Sequence, residues 1–184
     1  MFIRATTILS AALLVPCLVS AQTGSGNTAP GVAVVDVALY NAGANVQETK
    51  DTAVASLATS VLRDKLHELL GSALVDSSLV VKAGSSDSAR AITGGGKPCN
   101  VIVACVRYVG QHTGAAWAVM AKVSKTSNLI WLFTGQLINV RTGELVLDDS
   151  TELKGDPEPM VRAGTRIFAE RVARVVKQQV TSTK

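Results

Sequence analysis

Residues 115–153 read AAWAVMAKVSKTSNLIWLFTGQLINVRTGELVLDDSTEL, and this run decides the fold. From Ala115 to Val123 the residues alternate, with Trp117, Val119, Ala121 and Val123 on one face. That period of two is the signature of a half-buried strand. Ser124 to Asn128 reads as a turn. Leu129 to Val140 is long enough for an extended second strand. Thr142-Gly143 follows as a tight hairpin turn, where glycine supplies the positive φ. Glu144 to Leu153 forms a third strand. Its Asp148, Ser150 and Glu152 are polar, so one face or the edge meets water.

Working outward, Val32 to Leu39 is a nearly continuous apolar run with β-branched residues. It suits a strand buried on both faces, hence a central one. Glu48 to Leu70 carries Val54, Leu57, Ala58, Val61, Leu62, Leu66 and Leu69 on one helical stripe, and Gly71 is a natural C-cap. Leu74-Val75 and Leu79 to Lys82 read as strand, and Ala83 to Pro98 as loop. Val101 to Gln111 is a helix burying Ile102, Cys105, Val106 and Val109. A last helix from Pro157 to Val180 has Met160, Val161, Ile167, Phe168, Val172 and Val175 as its apolar stripe. The order β-α-β-α-β-β-β-α specifies an α/β (α+β) domain, a mixed sheet of about five strands with three helices packed on it.

The chain begins with Arg4 in a short basic start, runs uncharged from Ala5 to Val19 and reaches small residues at Val19-Ser20-Ala21. That is the anatomy of a secretory signal over residues 1–21. Pro16 interrupts the run, which is shorter than the roughly 20 apolar residues of a membrane span. Pro16 before Cys17 also argues against a lipid-modified cysteine. Residues 22–31, rich in Gly, Ser, Thr and Asn, read as a flexible leader, and residues 32–181 as one α/β domain. Losing the signal takes away one charged residue, Arg4, so the net charge falls from +4 to +3. This mild charge and the 4% of aromatic residues give no nucleic-acid-binding stripe. No integral membrane segment is expected after cleavage, and the location expected is the periplasm or the exterior.

Cys99 and Cys105 remain after processing, and an even cysteine count in an exported chain suggests a disulfide. On a single helix their separation would be about 9 Å along the axis, beyond the roughly 7 Å between Cα atoms that a disulfide allows. Cys99 must therefore lie outside the helix that carries Cys105. Pro98 and Asn100, a good N-cap, place the helix start there. A structural bridge is the favoured reading. A reactive thiol pair and metal ligation are the alternatives.

The search for catalytic chemistry finds no assembled set. There is no Gly-x-Ser-x-Gly elbow, and His67 and His112 fall on polar positions. Gly94-Gly95-Gly96-Lys97 lacks the rest of a phosphate loop, because Ala91 stands where its first glycine belongs and Pro98 where Ser or Thr must follow the lysine. Cys99, Cys105, His112 and His67 match no familiar zinc spacing. Asp148, Asp149 and Glu152 read as a solvated strand face. No cofactor and no metal are expected.

The residues quoted also carry a resemblance. Cys-x5-Cys entering a helix, Gly114-Ala-Ala-Trp-Ala-Val119, Lys122-Val-Ser-Lys-Thr-Ser-Asn-Leu-Ile130 and Ile138-Asn-Val-Arg-Thr-Gly-Glu-Leu-Val146 together resemble a bacterial family of exported proteins. That family is known only as domain of unknown function two-three-eight-zero. Its layout is similar to the α/β domain of the curli-transport lipoprotein and the TolB amino-terminal domain. In that superfamily a strand opens Gly-Ala-x-Tyr and a hairpin closes Asp-Val-x-Thr-Gly. Here Trp117 takes the aromatic place and Asn139 to Gly143 the turn. The resemblance implies a role in the cell envelope through contact with other proteins rather than catalysis. Pore formation is not implied, since the lipid-anchoring cysteine and membrane hairpins are lacking.

The expectation is a non-catalytic periplasmic adaptor that binds an envelope protein. Contact would run through the sheet edge, through Lys122, Lys125 and Asn128 around the turn, or through Arg162, Arg166 and Arg174 on the last helix, where anionic lipid is a second class of partner. The alternatives are a small-ligand or thiol-dependent function at Cys99 and Cys105, and homo-oligomers formed by sheet pairing.

Overall fold

The computed structural model describes residues 31–40, 49–127 and 129–182. The expected signal at 1–21, nearly all of the expected leader, residues 41–48 and Asn128 lie outside the described residues. Strands β1 (Val32–Val34) and β2 (Ala38–Leu39) are followed by helices α1 (Thr49–Leu70), α2 (Ser77–Gly84), α3 (Asp87–Ile92) and α4 (Val103–His112). Then come β3 (Trp117–Lys125), β4 (Ile130–Asn139), β5 (Leu145–Lys154) and α5 (Pro157–Ser182). The sheet is ordered β1-β3-β4-β5, with β2 also on β3, so it is the mixed α+β sheet that the element order predicts. β1 and β2 run parallel to β3, and β3, β4 and β5 form the antiparallel meander.

The meander closes where expected. Gly143 has φ +80°, its N–H donates to the Asn139 carbonyl, and Asn139 Oδ1 accepts from the N–H of Arg141 and Thr142. Arg107 on α4 clamps this turn from outside, Nε donating to the Val140 carbonyl and Nη2 to that of Arg141.

One face of the sheet is fully covered. Val54, Ala58, Leu62 and Leu66 of α1 and Val161, Phe168, Val172 and Val176 of α5 pack on Trp117, Val119, Val123, Trp131, Phe133 and Leu137. On the opposite face Val80 and Ala83 of α2 and Val106 and Val109 of α4 meet Ala33, Val35, Ala118, Ile138 and Val140. This second cluster covers only the β1 side of the sheet and the hairpin end of β4. Met120, Gln136 and Asp148, then Lys122, Thr134 and Ser150, are paired across the rest of that face. Met120 packs at the margin of this second cluster, whereas Gln136, Asp148, Lys122, Thr134 and Ser150 belong to neither cluster.

Four expectations need correction. Residues 77–84 are helix, not strand: Asp76 accepts from the hydroxyl and the N–H of Ser78, and these hydrogen bonds, the hydroxyl's foremost, hold its carboxyl below the usual range. Val80 and Ala83, three apart, then face inward. The supposed loop holds α3, started by Ser86, whose Oγ accepts from the N–H of Ala89. The Val32–Leu39 strand is broken and lies at the edge. Val34 to Ala38 is four steps where the paired Val119 to Lys122 is three, so one residue is extra. Thr59 Oγ1 accepts from the Val37 N–H, and Arg63 pairs with exposed Asp36 at 2.9 Å and donates to the Val34 carbonyl. Layers of helix on both sides bury β1 without its being central. Finally, Met160 and Ile167 of α5 are exposed, while Thr165, Ala169 and Ala173 point inward in their place.

Candidate functional site

The bare part of the sheet ends against the chain that enters α4. There a single 3-10 turn, Cys99–Val101, is tied to α4 by the Cys99–Cys105 disulfide, with Cα atoms 5.2 Å apart. The expectation that Cys99 stands outside the helix holds. Asn100 is not the helix cap: its Nδ2 donates 2.9 Å to the Asp36 carbonyl, across to the break between β1 and β2. Ile102 precedes α4 without a capping side chain and is only partly buried, unlike Cys105, Val106 and Val109. The stapled turn therefore stands as a ridge beside the sheet. Pro98 and Asn100 border three neighbouring depressions of about 490, 370 and 240 Å³.

The largest of the three is a groove between the ridge and the bare sheet. Tyr40, Ile102 and Val103 form its walls, and Met120, Lys122 and Gln136 its floor. Tyr40 is 50% exposed, and Lys122 lies over its ring with Nζ 5.3 Å from the centroid. Such a pair presents an aromatic face and a cation together. Lys97 adds a second cation and Thr134 a hydroxyl to the lining, and the remaining groups are apolar or amide. This chemistry fits a segment with an apolar side chain beside a carbonyl or carboxylate.

Of the residues singled out from sequence, Lys122 lies in this groove. Lys125 does not: it is 6% exposed, its Nζ lies 3.2 and 3.3 Å from the oxygens of Asp51 and 5.9 Å from the Trp131 ring centre. The alternation of β3 carried one step past Val123 places it on the inward face, a signal that reading Ser124 to Asn128 as a turn concealed. The pair borders a separate cleft of about 590 Å³, with Trp131, Asp156 and Glu158. Arg166 and Arg174 lie on the outer side of α5, away from the groove, and Arg162 at its margin. Sequence reasoning missed Tyr40, Val103 and Met120 because nothing local marks an apolar residue as the wall of a groove.

The other candidates stay apart. His67 is exposed on α1, and His112 stacks on Tyr108 at 5.6 Å. Asp149 is paired with Arg171 at 2.6 Å, Asp148 accepts from Gln136, and Glu152 lies 3.3 Å from Lys154. Among the described residues no group of three or more His, Cys, Asp or Glu is placed to hold a metal. None of the described helices is long and apolar enough to cross a membrane.

No curated protein matches the chain. Among solved structures, Escherichia coli LpoB is 18% identical with TM-score 0.47, covering 69% of this chain, which spans 57% of LpoB. The PelC dodecamer from Paraburkholderia phytofirmans is 15% identical with TM-score 0.44, over 81% of this chain and 88% of that one. Lipoprotein GNA1162 from Neisseria meningitidis is 13% identical with TM-score 0.41, over 84% and 99%. The family model described as Protein of unknown function (DUF2380) matches residues 30–172, which take in the meander, the stapled turn and most of α5, and the chain belongs to that family.

Proposed function

We propose that this domain is a non-catalytic binding module of the cell envelope, and that it holds an extended segment of a partner protein in the groove beside the Cys99–Cys105 turn. The observation that carries this reading is the half-covered sheet. One face is sealed by α1 and α5, while the other ends in a groove with Tyr40, Val103 and Met120 at its surface. Apolar surface gathered in a concavity with a few polar groups is the usual form of a recognition site. The disulfide supports an oxidising location. Among the described residues no hydrogen bond joins His67 or His112 to a nucleophile, which fits a binding module.

Photo-crosslinking in cells that export the protein tests the reading. A benzophenone side chain at position 40, 103 or 136 should give one discrete adduct, and the same group at Ser60 on the outer side of α1 should not. Adding Met120→Asp should abolish the adduct. Equal crosslinking from position 60, or none from the groove, rules the site out. Light scattering on the purified domain shows whether the adduct partner is a second copy.

A further inference from the structure

We propose that the outward face of α5 docks on an anionic lipid surface, a second interaction independent of the groove. The inward stripe of α5 is Val161, Thr165, Phe168, Ala169, Val172 and Val176. The opposite arc carries Arg166, Arg174 and Lys177, none of which has an ion pair with a described residue. Its acid, Glu170, lies 4.0 Å from Lys65 of α1. Arg162 and Arg171 at the margins are held by Glu158 and Asp149. Uncompensated cation is thus concentrated on one side of one helix.

The same arc exposes two large apolar residues, Met160 at 36% and Ile167 at 49%. They are two turns apart, about 10 Å along the axis, so a helix lying flat on a surface presents both at once. Cations around outward-pointing apolar residues are the pattern of a helix seated in the headgroup layer. The long stems of Arg166 and Arg174 let their guanidinium groups reach phosphates while Met160 and Ile167 enter the acyl boundary. An acidic protein would satisfy the cations but leave these two side chains without a purpose. A second copy would bring like charge against like.

Co-sedimentation of the mature chain with phosphatidylglycerol vesicles, against pure phosphatidylcholine vesicles, tests this. Binding is expected only to the former. Arg166→Gln with Arg174→Gln should lower the partition coefficient on the order of tenfold or more, at about one kcal/mol for each basic residue near an anionic surface. Ile167→Ser should weaken binding and make it fully reversible by salt. Lys82→Gln with Arg141→Gln removes equal charge from another part of the surface and should leave binding within about twofold of the original, the effect of net charge alone. All these side chains are exposed, and circular dichroism checks the fold. Equal loss in the two double variants, or no binding to phosphatidylglycerol, overturns the proposal. Arg166- and Arg174-dependent retention on polyglutamate without vesicle binding does the same and assigns the face to an acidic protein. None of these outcomes bears on the groove.

Discussion

Placing a methyl group at Gly135 should destabilise the domain through one contact. Gly135 lies in the middle of β4, and a Cβ there would stand 2.5, 2.6 and 2.7 Å from Cζ, Cε2 and Cε1 of Phe168. Carbon atoms prefer about 3.5–4.0 Å, so the ring must retreat by roughly 1 Å. It has little room, being 1% exposed and tilted against Phe133 with centroids 5.5 Å apart. Overpacking of this kind costs about 1–3 kcal/mol. A loss of about 2 kcal/mol lowers the melting temperature by roughly 4–8 °C in a domain of this size. Thermal unfolding followed by circular dichroism measures it, and Phe168→Leu is the control because leucine lacks the three crowded ring atoms. Gly135→Ala should cost well under 1 kcal/mol in that background, the difference being the coupling of the two sites. An unchanged melting temperature for Gly135→Ala alone, or the same loss in both backgrounds, refutes the packing of α5 on β4 described above.

Three further outcomes are expected. Reducing the Cys99–Cys105 bridge, or replacing both residues by serine, should cost about 2 kcal/mol by loop-closure entropy; unreduced protein should weigh two hydrogens less than the dithiol by mass spectrometry. Lys125→Met or Asp51→Asn alone should cost roughly 3–5 kcal/mol by breaking the buried pair, whereas Lys125→Met with Asp51→Leu should recover much of it; denaturant titration of the three variants decides. Ser86→Ala should lower stability by about 1 kcal/mol through loss of the α3 cap, with faster amide exchange confined to residues 87–92.

The long elements were legible from sequence because their signals are local. Trp117, Val119, Ala121 and Val123 alternate, and Val54, Ala58, Leu62 and Leu66 repeat at helical spacing, whatever the rest of the chain does. The short helices were missed because two turns carry too few periods to stand out. Their capping residues, Asp76 and Ser86, were the only sequence signals, and both also suit loops. The groove was half legible: the stapled turn follows from covalent geometry, while Met120 of β3, Gln136 of β4 and Tyr40 just after β2 come together from distant parts of the chain.

By itself the sequence determined the meander and its Asn139 to Gly143 turn, the two long helices, and the need for Cys99 to stand outside the helix that bears Cys105. Each rests on chain geometry over a few residues. Only the tertiary structure decided that β1 is an edge strand buried between helices, that Lys125 turns inward to Asp51, and that Met160 and Ile167 face out while Thr165 and Ala169 face in. Burial depends on which element lies across from a side chain, and that neighbour is supplied by residues far away in the chain.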